Sequence, residues 1–474
     1  MNRLHRVFQL FDLGTLSVSS VAPIFSVAAA GSVMAQAAGA AVPLAIVLIA
    51  IPFLLSSWIF LSLNQHFPNA GASYHWSRRI LGMDFSNYQA WVLLLAYFWS
   101  IPPILLPAAE FTYAALGINH PGNVLVVLGA MFWALFAVGV LLFGARMTAR
   151  ITQIFLLIEL VSVVFMAVVG YSHWGGPARG AAVFSFERLN WGGVIVCMVV
   201  AATIVDGWEI DSYASEEAHR PRVTPGWGGV IGAMAVVGYY LLIWPLLLHQ
   251  LALAKLVQAD DILTLWAGSV APGLLAYLRI AIICSTAGSL WLTAFILSRA
   301  LYAMGRDEVM PRWMARLNRF NAPHWSVLLP MGLAMTVVLL RTFFPSMREL
   351  FDLVLASAGF FLVAEFLLDG INMLVFLLRT HDAVHRKVAP HHHTGLLLAA
   401  VAVVASLALV EVLFLVYAPK YVAPEIDQTV AVLLLLGASY TIWLKRRSKG
   451  QTTYVFEPEA LECVRSVGVP LIHD

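Results

Sequence analysis

Long apolar stretches constrain the fold of this chain more than any other feature. Five of them contain no Asp, Glu, Lys or Arg: 43–63, 123–143, 226–248, 325–340 and 428–444. A helix needs about 20 mostly apolar residues to cross the hydrocarbon core of a bilayer. Seven more stretches carry only a few charges: 13–38, 88–116, 151–172, 191–214, 272–304, 350–379 and 395–418. Because these runs are too long and continuous for barrel strands, the sequence predicts an all-α polytopic membrane protein with twelve transmembrane helices.

Composition excludes several other classes of protein. The 474 residues are 61% hydrophobic and 11% charged, with a net charge of +2, whereas an ordinary soluble domain is about 25% charged. This balance excludes a soluble enzyme, a disordered chain and a protein that binds nucleic acid. The three cysteines form neither a disulfide framework nor a metal-ligand pattern. The sequence contains no P-loop, Ser-His-Asp set or HExxH motif, so we predict no enzymatic activity, no cofactor and no metal.

Basic residues are distributed unequally between the loops. With twelve spans, the loops on the side of the two termini hold 20 of the 28 Lys and Arg residues, and those on the other side hold 6. Lys and Arg concentrate in short cytoplasmic loops. The sequence therefore predicts cytoplasmic termini in a multi-pass protein of the cytoplasmic (inner) membrane. No small-residue cleavage site follows the first apolar stretch, so we interpret that stretch as a retained span.

Two of the predicted helices contain helix-breaking residues near their centres. The first contains Pro23, which removes a helix hydrogen bond and clashes with the preceding turn. The sixth contains Gly207, flanked by Asp206 and Glu209. Paired breaks in corresponding helices point to a transporter site built on inverted repeats. The alternative is that Pro and Gly are simply common in membrane helices.

Four blocks of sequence resemble motifs of the amino acid–polyamine–organocation (APC) permeases. The block GWEIDSYASEEAHRPR at 207–222 resembles the sixth-span signature of that family. The blocks SRALYAMGRDEVMP at 298–311 and NRFNAP at 318–323 resemble its eighth span and the following loop, and FPNAGASYHW at 67–76 resembles the loop after its second span. The resemblance covers about residues 10–380. It implies a LeuT-type fold with a 5+5 inverted repeat, substrate binding at the breaks of helices 1 and 6, and alternating access.

The same resemblance divides the chain into three parts. We expect a first five-helix repeat over 1–173 and a second, inverted repeat over 174–380. Two extra helices and a cytoplasmic tail would follow over 381–474.

The sequence departs from the family pattern at two places. Many relatives carry a Gly-Ser-Gly-like break in span one, which an ungapped alignment places on Phe25, Ser26 and Val27, so both glycines are replaced. Many relatives also have a lysine midway along span five that is linked to proton coupling, and here Glu159 stands in its place. A lysine-based coupling scheme is therefore not expected.

A broken helix offers partners to both ends of an amino acid. Its second half presents N–H groups and a positive dipole end to a carboxylate, and its first half presents carbonyls to an ammonium group. We expect these N–H groups between Ile24 and Val27 and these carbonyls between Thr203 and Val205. The nearby serine hydroxyls either join them or bond to their own helix. The predicted substrate-binding set is Ser20, Ala22, Pro23, Ile24, Ser26, Thr203, Val205, Asp206, Gly207, Trp208 and Trp291.

Asp206 has two compatible interpretations. At the break it is positioned to pair with a substrate ammonium group, which favours an amine or a cationic amino acid. Alternatively it caps the second half-helix, because Asp206 and Glu209 have the spacing of a capping box.

Further acids lie within the predicted spans. A carboxylate at the bilayer centre costs at least about 2.5–3.5 kcal/mol to insert, and burial favours the protonated form of a carboxyl group. Glu159 is therefore the first candidate to carry a coupling proton, with Glu110 and Glu209 as further candidates. The alternative for Glu159 is a neutral, hydrogen-bonded acid with no coupling role.

Two tryptophans near the predicted site have alternative roles. Trp208 and Trp291 are candidates to cover a bound substrate or to stack on a cation. Packing and interface anchoring are the commoner roles of such residues.

Together these features predict a secondary active transporter of an amino acid or amine, by proton symport or by exchange. A cationic amine, polyamine or basic amino acid is favoured. The alternatives are a neutral amino acid permease and a passive facilitator or channel; a membrane-embedded enzyme would need a nucleophile or metal site that the sequence lacks. The expected partners are the small substrate, a coupling proton and the lipid bilayer, for a monomer or homodimer.

Overall fold

A computed structural model describes residues 4–118, 120–174, 189–379, 393–421 and 423–447. Within these ranges the regular structure is helical, apart from one isolated bridge between Phe8 and Ala218. Ten helical stretches in them are long and apolar enough to cross a membrane. This confirms the prediction of an all-helical polytopic membrane protein. The predicted tail beyond residue 447 lies outside the described residues.

The helices follow the predicted spans closely. In chain order they are α1 (Leu10–Val21), α2 (Pro23–Ala38), α3 (Val42–His66), α4 (Ala72–Ile80), α5 (Met83–Phe98), α6 (Ile101–Ala115), α7 (Asn123–Leu142), α8 (Ala145–Ser172), α9 (Trp191–Val205), α10 (Ile210–Tyr213), α11 (Thr224–Gln250), α12 (Leu253–Gln258), α13 (Ile262–Val270), α14 (Leu275–Arg306), α15 (His324–Phe343), α16 (Pro345–Arg379), α17 (His393–Tyr421) and α18 (Ile426–Arg447).

Several predicted spans consist of two helices. The predicted span 13–38 is divided into α1 and α2, and 191–214 is divided into α9 and the short α10. The structure also divides 88–116, between α5 and α6, which the sequence analysis did not anticipate. Pro102 and Pro103 lie in the first turn of α6, where their missing N–H groups interrupt the helical hydrogen-bond ladder.

The division between α1 and α2 is a single residue. Ala22 has φ 48° and ψ 62°, a left-handed conformation that ends one helix and begins the next. Pro23 follows as the first residue of α2, a position where a helix needs no N–H donor. After α2, a 3-10 turn at Gly39–Ala41 leads into α3.

The long helix α14 lies at the centre of the bundle. It packs against α1, α2, α5, α6, α7, α8 and α15, and nearly all of its side chains from Ala281 to Gly305 are buried. The outer helices α7, α8, α17 and α18 instead expose Leu, Val and Phe side chains. A helix that is apolar on its exposed side is suited to contact with lipid.

The sixth-span and eighth-span motifs contact each other in the fold. Arg299 donates to Glu217 with Nη2–Oε1 and Nε–Oε2 distances of 2.9 and 3.1 Å, and both side chains are at most 2% exposed. Arg306 pairs in the same way with Glu216. These two ion pairs join the loop after α10 to the end of α14.

The same contact holds the N-terminal segment. The backbone N–H groups of Val7 and Phe8 donate to the Glu217 carbonyl at 2.7 and 2.9 Å. We call this end of the bundle, where α1 begins and α14 ends, the terminal face, and the opposite end, around Gly39, the far face.

Removing the Glu217 carboxylate would leave the Arg299 charge buried without a counter-ion. Breaking a buried pair in this way costs about 3–5 kcal/mol, so Glu217→Gln is expected to lower the melting temperature of the detergent-purified protein markedly. Arg312→Gln is the matched control, because the Arg312–Glu308 pair is exposed and such pairs contribute little. Thermal unfolding followed by intrinsic fluorescence compares them, and equal shifts in the two variants would contradict the assignment.

Candidate functional site

A cavity of about 830 Å³ lies where the two helix breaks meet. Its walls come from α1, α2, α5, α6, α9, α14, α16 and α17 and are largely apolar. The cavity follows α2 as far as Gln36 and Ala37, beside Lys420 at the end of α17. It therefore extends from the breaks toward the far face. Six residues of the breaks line it: Ser20, Val21, Phe25, Ser26, Asp206 and Gly207.

The first turn of α2 is bound by side chains from two other helices. Glu159 of α8 accepts the Ile24 N–H at its Oε1 atom, at 3.1 Å. Ser285 of α14 accepts the Phe25 N–H at 3.0 Å and donates its own hydroxyl proton to the same Glu159 Oε1, at 2.6 Å. Glu159 is fully buried, and its Oε2 atom has no hydrogen-bond partner. A carboxylate thus occupies the positive end of the half-helix, where the dipole favours negative charge.

The second break lies against the first. Gly207 has φ 109°, and a Cβ atom added to it would lie 2.9 Å from the Ser20 carbonyl carbon and the Val21 nitrogen. Only glycine permits both this conformation and this approach of the two backbones. Gly207, which predicted the break in the sixth span, therefore also allows the two breaks to lie at one cavity.

Glu209 binds the second break from the terminal side. Its Oε2 atom accepts the Gly207 N–H at 2.7 Å, and its Oε1 atom accepts the Tyr97 hydroxyl at 2.9 Å. Tyr97 belongs to α5 and lines the cavity. This pair lies on the side of the second break that leads to α10 and the terminal face.

The predicted capping box is not formed. Glu209 reaches back to Gly207 rather than to Asp206, whose N–H donates to the Ala202 carbonyl at 3.1 Å. Helix α10 begins after Glu209 and has no side-chain cap. The structure therefore leaves the Asp206 carboxylate at the cavity wall.

Most of the chain matches a known protein family. The sequence profile of a family described as amino acid permease matches residues 8–439. The chain belongs to the amino acid permease family. This confirms the resemblance to APC permeases, and the protein is a transporter rather than an enzyme.

Three relatives illustrate the range of the family. A branched-chain amino acid permease of Lactococcus lactis is 25% identical over 401 residues, which are 78% of this chain and 81% of the relative. A methylthioribose transporter of Bacillus subtilis is 23% identical over 341 residues, 68% of this chain and 72% of the relative. The cationic amino acid transporter 4 of Mus musculus is 24% identical over 348 residues, 66% of this chain and 52% of the relative.

The structure of this permease places only part of the predicted site at the cavity. Ser20, Ser26, Thr203, Asp206 and Gly207 line it. The other six members of the substrate-binding set are absent from its lining: Ala22, Pro23, Ile24, Val205, Trp208 and Trp291.

Both predicted tryptophans pack away from the cavity. Trp291 is buried beside Phe136 and Phe155, and its indole N–H donates to the Thr152 hydroxyl at 2.9 Å. Trp208 is buried against aromatic side chains of α3 and α16. In this conformation both indole rings make packing contacts with aromatic side chains of neighbouring helices.

The predicted hydrogen-bonding groups at the breaks are largely occupied. Besides the Ile24 and Phe25 N–H groups, the Ile204 carbonyl accepts the Tyr240 hydroxyl at 2.5 Å. The Ser26 hydroxyl donates across the break to the Val21 carbonyl of α1, and the Thr203 hydroxyl donates to the Val200 carbonyl of its own helix, at 2.8 Å each. Of the predicted proton carriers, Glu159 and Glu209 lie at the breaks, whereas Glu110 is exposed on α6 and does not line the cavity.

Sequence reasoning missed Ser285 and Tyr97, which complete the two breaks. The signal for Ser285 was the cluster of hydroxyl residues in an otherwise apolar stretch of α14, of which Ser289 and Thr293 also line the cavity. Tyr97 gave no local signal, because an aromatic residue in a membrane helix is ordinary.

A second polar network lies between Glu209 and the terminal face. Tyr213 donates to Glu365 at 2.7 Å, and Ser73 lies 3.0 Å from Glu365 and 2.6 Å from Asp369. Gln89 and Asn372 each donate to Asp369 at 3.0 Å. The network joins α4, α5, α10 and α16 below the cavity, and so adds to the closure on that side.

Proposed function

We propose that this permease is a secondary active transporter that moves an amino acid or amine by alternating access, with a proton as the coupling ion. One observation carries the proposal: two broken helices meet at one cavity, whose lining runs from the breaks toward the far face. Polar groups at helix breaks, within an otherwise apolar bundle, are the usual construction of a transporter site. The described conformation corresponds to the state that opens at the far face.

The proposal includes a membrane topology. The stretch Leu10–His66 counts as two passes, divided at Gly39–Ala41, and Trp191–Val205 with α10 counts as one broken pass. This yields twelve passes, the LeuT-type arrangement with inverted repeats over 1–173 and 174–380, and two further helices. The termini then lie on the same side of the membrane. Because Lys and Arg concentrate on that side, we propose that both termini are cytoplasmic and that the protein lies in the cytoplasmic membrane.

Closure on the terminal side supports alternating access. Between the cavity and that face lie the Tyr97–Glu209 hydrogen bond, the Ser73–Glu365–Asp369 network and the buried Arg299–Glu217 pair. To release substrate at that face, the protein must separate these groups. Ion pairs and hydrogen bonds that break and re-form are the kind of contact that two-state elements use.

Asp206 is the proposed site for a substrate cation. It is the acidic residue among those that line the cavity, and the structure gives its backbone, rather than its carboxylate, a partner in the helix. An ammonium group beside it would supply the counter-charge that a buried carboxylate requires. A cationic amine, polyamine or basic amino acid is therefore favoured. The apolar walls and the Lactococcus relative's branched-chain substrates support a neutral amino acid as the second candidate.

Glu159 is the proposed proton carrier. It contacts α2 through the Ile24 N–H and α14 through Ser285, so its protonation state bears directly on the contact between these helices. An ionised Glu159 holds the tip of α2 by charge-assisted hydrogen bonds, which are about twice as strong as neutral ones. Protonation weakens this hold and favours movement of α2.

Asp206→Asn tests the cation site. We expect the variant to fold normally and to lose uptake of amine substrates by at least about tenfold, the equivalent of 1.4 kcal/mol of binding. Counterflow of radiolabelled substrate in proteoliposomes is the measurement, with a panel of amino acids and amines. Asp211→Asn is the matched control, because Asp211 is a buried acid five residues away that does not line the cavity. Unchanged kinetics in Asp206→Asn would reject the ammonium contact, and absence of saturable counterflow in the wild type would indicate a channel.

Glu159→Gln tests the proton carrier. Glutamine keeps an acceptor for the Ile24 N–H, but its amide does not titrate as a carboxyl group does. We expect exchange of substrate to continue while the stimulation of uptake by an imposed proton gradient is lost. Glu110→Gln serves as the control and should keep that stimulation. If Glu159→Gln retains the full pH dependence of the wild type, the proton is carried elsewhere.

A further inference from the structure

The N–H groups at the two breaks, which would bind the carboxylate of an amino acid, already have partners within the protein. In a broken-helix site the donors for a carboxylate are the N–H groups at the tip of the half-helix, where the dipole is also favourable. A buried carboxylate left without such partners is costly. The partners of each N–H group at the two breaks therefore indicate what a substrate can be.

At the first break, every N–H group of the tip of α2 is taken. Pro23 has none, and the Ile24 and Phe25 groups donate to Glu159 and Ser285. The Ser26 N–H donates to the Ala22 carbonyl at 2.9 Å. The tip is filled by a carboxylate of the protein itself.

At the second break, the cavity-lining N–H groups are taken as well. The Asp206 N–H completes a turn of α9 on the Ala202 carbonyl. The Gly207 N–H donates to Glu209, which is again a carboxylate of the protein. The N–H groups of this break that line the cavity are thus bound from within the protein, as the N–H groups at the tip of α2 are.

Side chains do not replace these donors. Near the breaks the cavity offers the Ser20, Ser289 and Thr293 hydroxyls, which are neutral and accept from an ammonium group as readily as they donate. The cationic residue of the lining, Lys420, lies in the last turn of α17, at the far end of the cavity that Gln36 also lines. Gln36 is 11 residues beyond Phe25 on α2, which is about 16 Å at the rise of a helix. The ionisable side chain that lines the cavity at the breaks is Asp206, which is acidic.

We infer that the substrate is an amine without an α-carboxylate, and that Glu159 determines this specificity as a built-in substitute for the substrate's carboxylate. Asp206 takes the ammonium group, and the largely apolar walls take the remainder of the molecule. This inference rests on the proposed function and narrows its substrate class from amino acids or amines to amines alone. Glu159 thereby links two roles, because the group that would carry the proton also excludes amino acids.

Pairs of compounds that differ only in the carboxylate test the inference. Suitable pairs are cadaverine and lysine, isoamylamine and leucine, and tyramine and tyrosine. Each compound is tested for thermal stabilisation of the purified full-length protein and for competition in counterflow. We expect the amine to bind at least about tenfold more tightly than the amino acid in every pair where binding occurs. Equal or tighter binding of the amino acid would overturn the inference.

A variant separates the role of Glu159 from the general preference for amines. Glu159→Ala removes the built-in carboxylate and frees the Ile24 N–H, so the preference for cadaverine over lysine should shrink several-fold. Glu159→Gln, which keeps the acceptor, should retain it. An unchanged preference in Glu159→Ala would overturn the assignment to Glu159. The wild-type comparison remains decisive if that variant fails to fold.

The two levels of the proposal fail differently. If neither member of any pair binds or exchanges, the proposed transport function is itself wrong. If an amino acid exchanges and its exchange is lost in Asp206→Asn, the transporter stands and only the carboxylate-free substrate class is contradicted.

Discussion

The structure depends on one constraint: backbone N–H groups at membrane depth need partners, because lipid offers none. Two helices break near the centre of this bundle, and each break exposes such groups. Glu159 and Ser285 bind them at the first break, and Glu209 binds them at the second. Carboxylates are rare within apolar helices, and here those of Glu159 and Glu209 stabilise the two breaks. They also fix the shape and charge of the cavity between the breaks.

The same contacts connect the cavity to the rest of the bundle. Glu159 and Ser285 connect the tip of α2 to α8 and to the central helix α14 by hydrogen bonds. Movement of the tip therefore changes contacts of α14, against which most of the other helices pack. Glu209 ties the second break to Tyr97 of α5. Beyond it, the sixth-span and eighth-span motifs meet as the Arg299–Glu217 and Arg306–Glu216 pairs, whose members are 82 and 90 residues apart in the chain. The cavity therefore extends toward the far face, and polar contacts join the helices on the side of the terminal face.

Much of the fold could be predicted from the sequence, because length and hydrophobicity of a stretch are local properties. The breaks at Pro23 and Gly207 were predictable for the same reason. The partners at the breaks were not: Glu159 is 135 residues from Ile24, and Ser285 is 260 residues from Phe25. The capping-box spacing of Asp206 and Glu209 was misleading, because Tyr97 and the Gly207 N–H compete for the Glu209 carboxylate. Likewise the side of α14 that Trp291 occupies follows from packing against Phe136 and Phe155, which sequence alone does not show.

Accessibility of single cysteines tests most directly whether the cavity between the breaks is the substrate site. Ala29 lines the cavity, while its neighbour Ala28 is buried in the helix packing. In a background where Cys463 is replaced by serine, a membrane-impermeant thiol reagent should modify Ala29→Cys from the far face alone. It should leave Ala28→Cys unmodified, and a transported amine should slow the labelling several-fold. Labelling of both positions at equal rates, or no protection by any transported compound, would contradict the account.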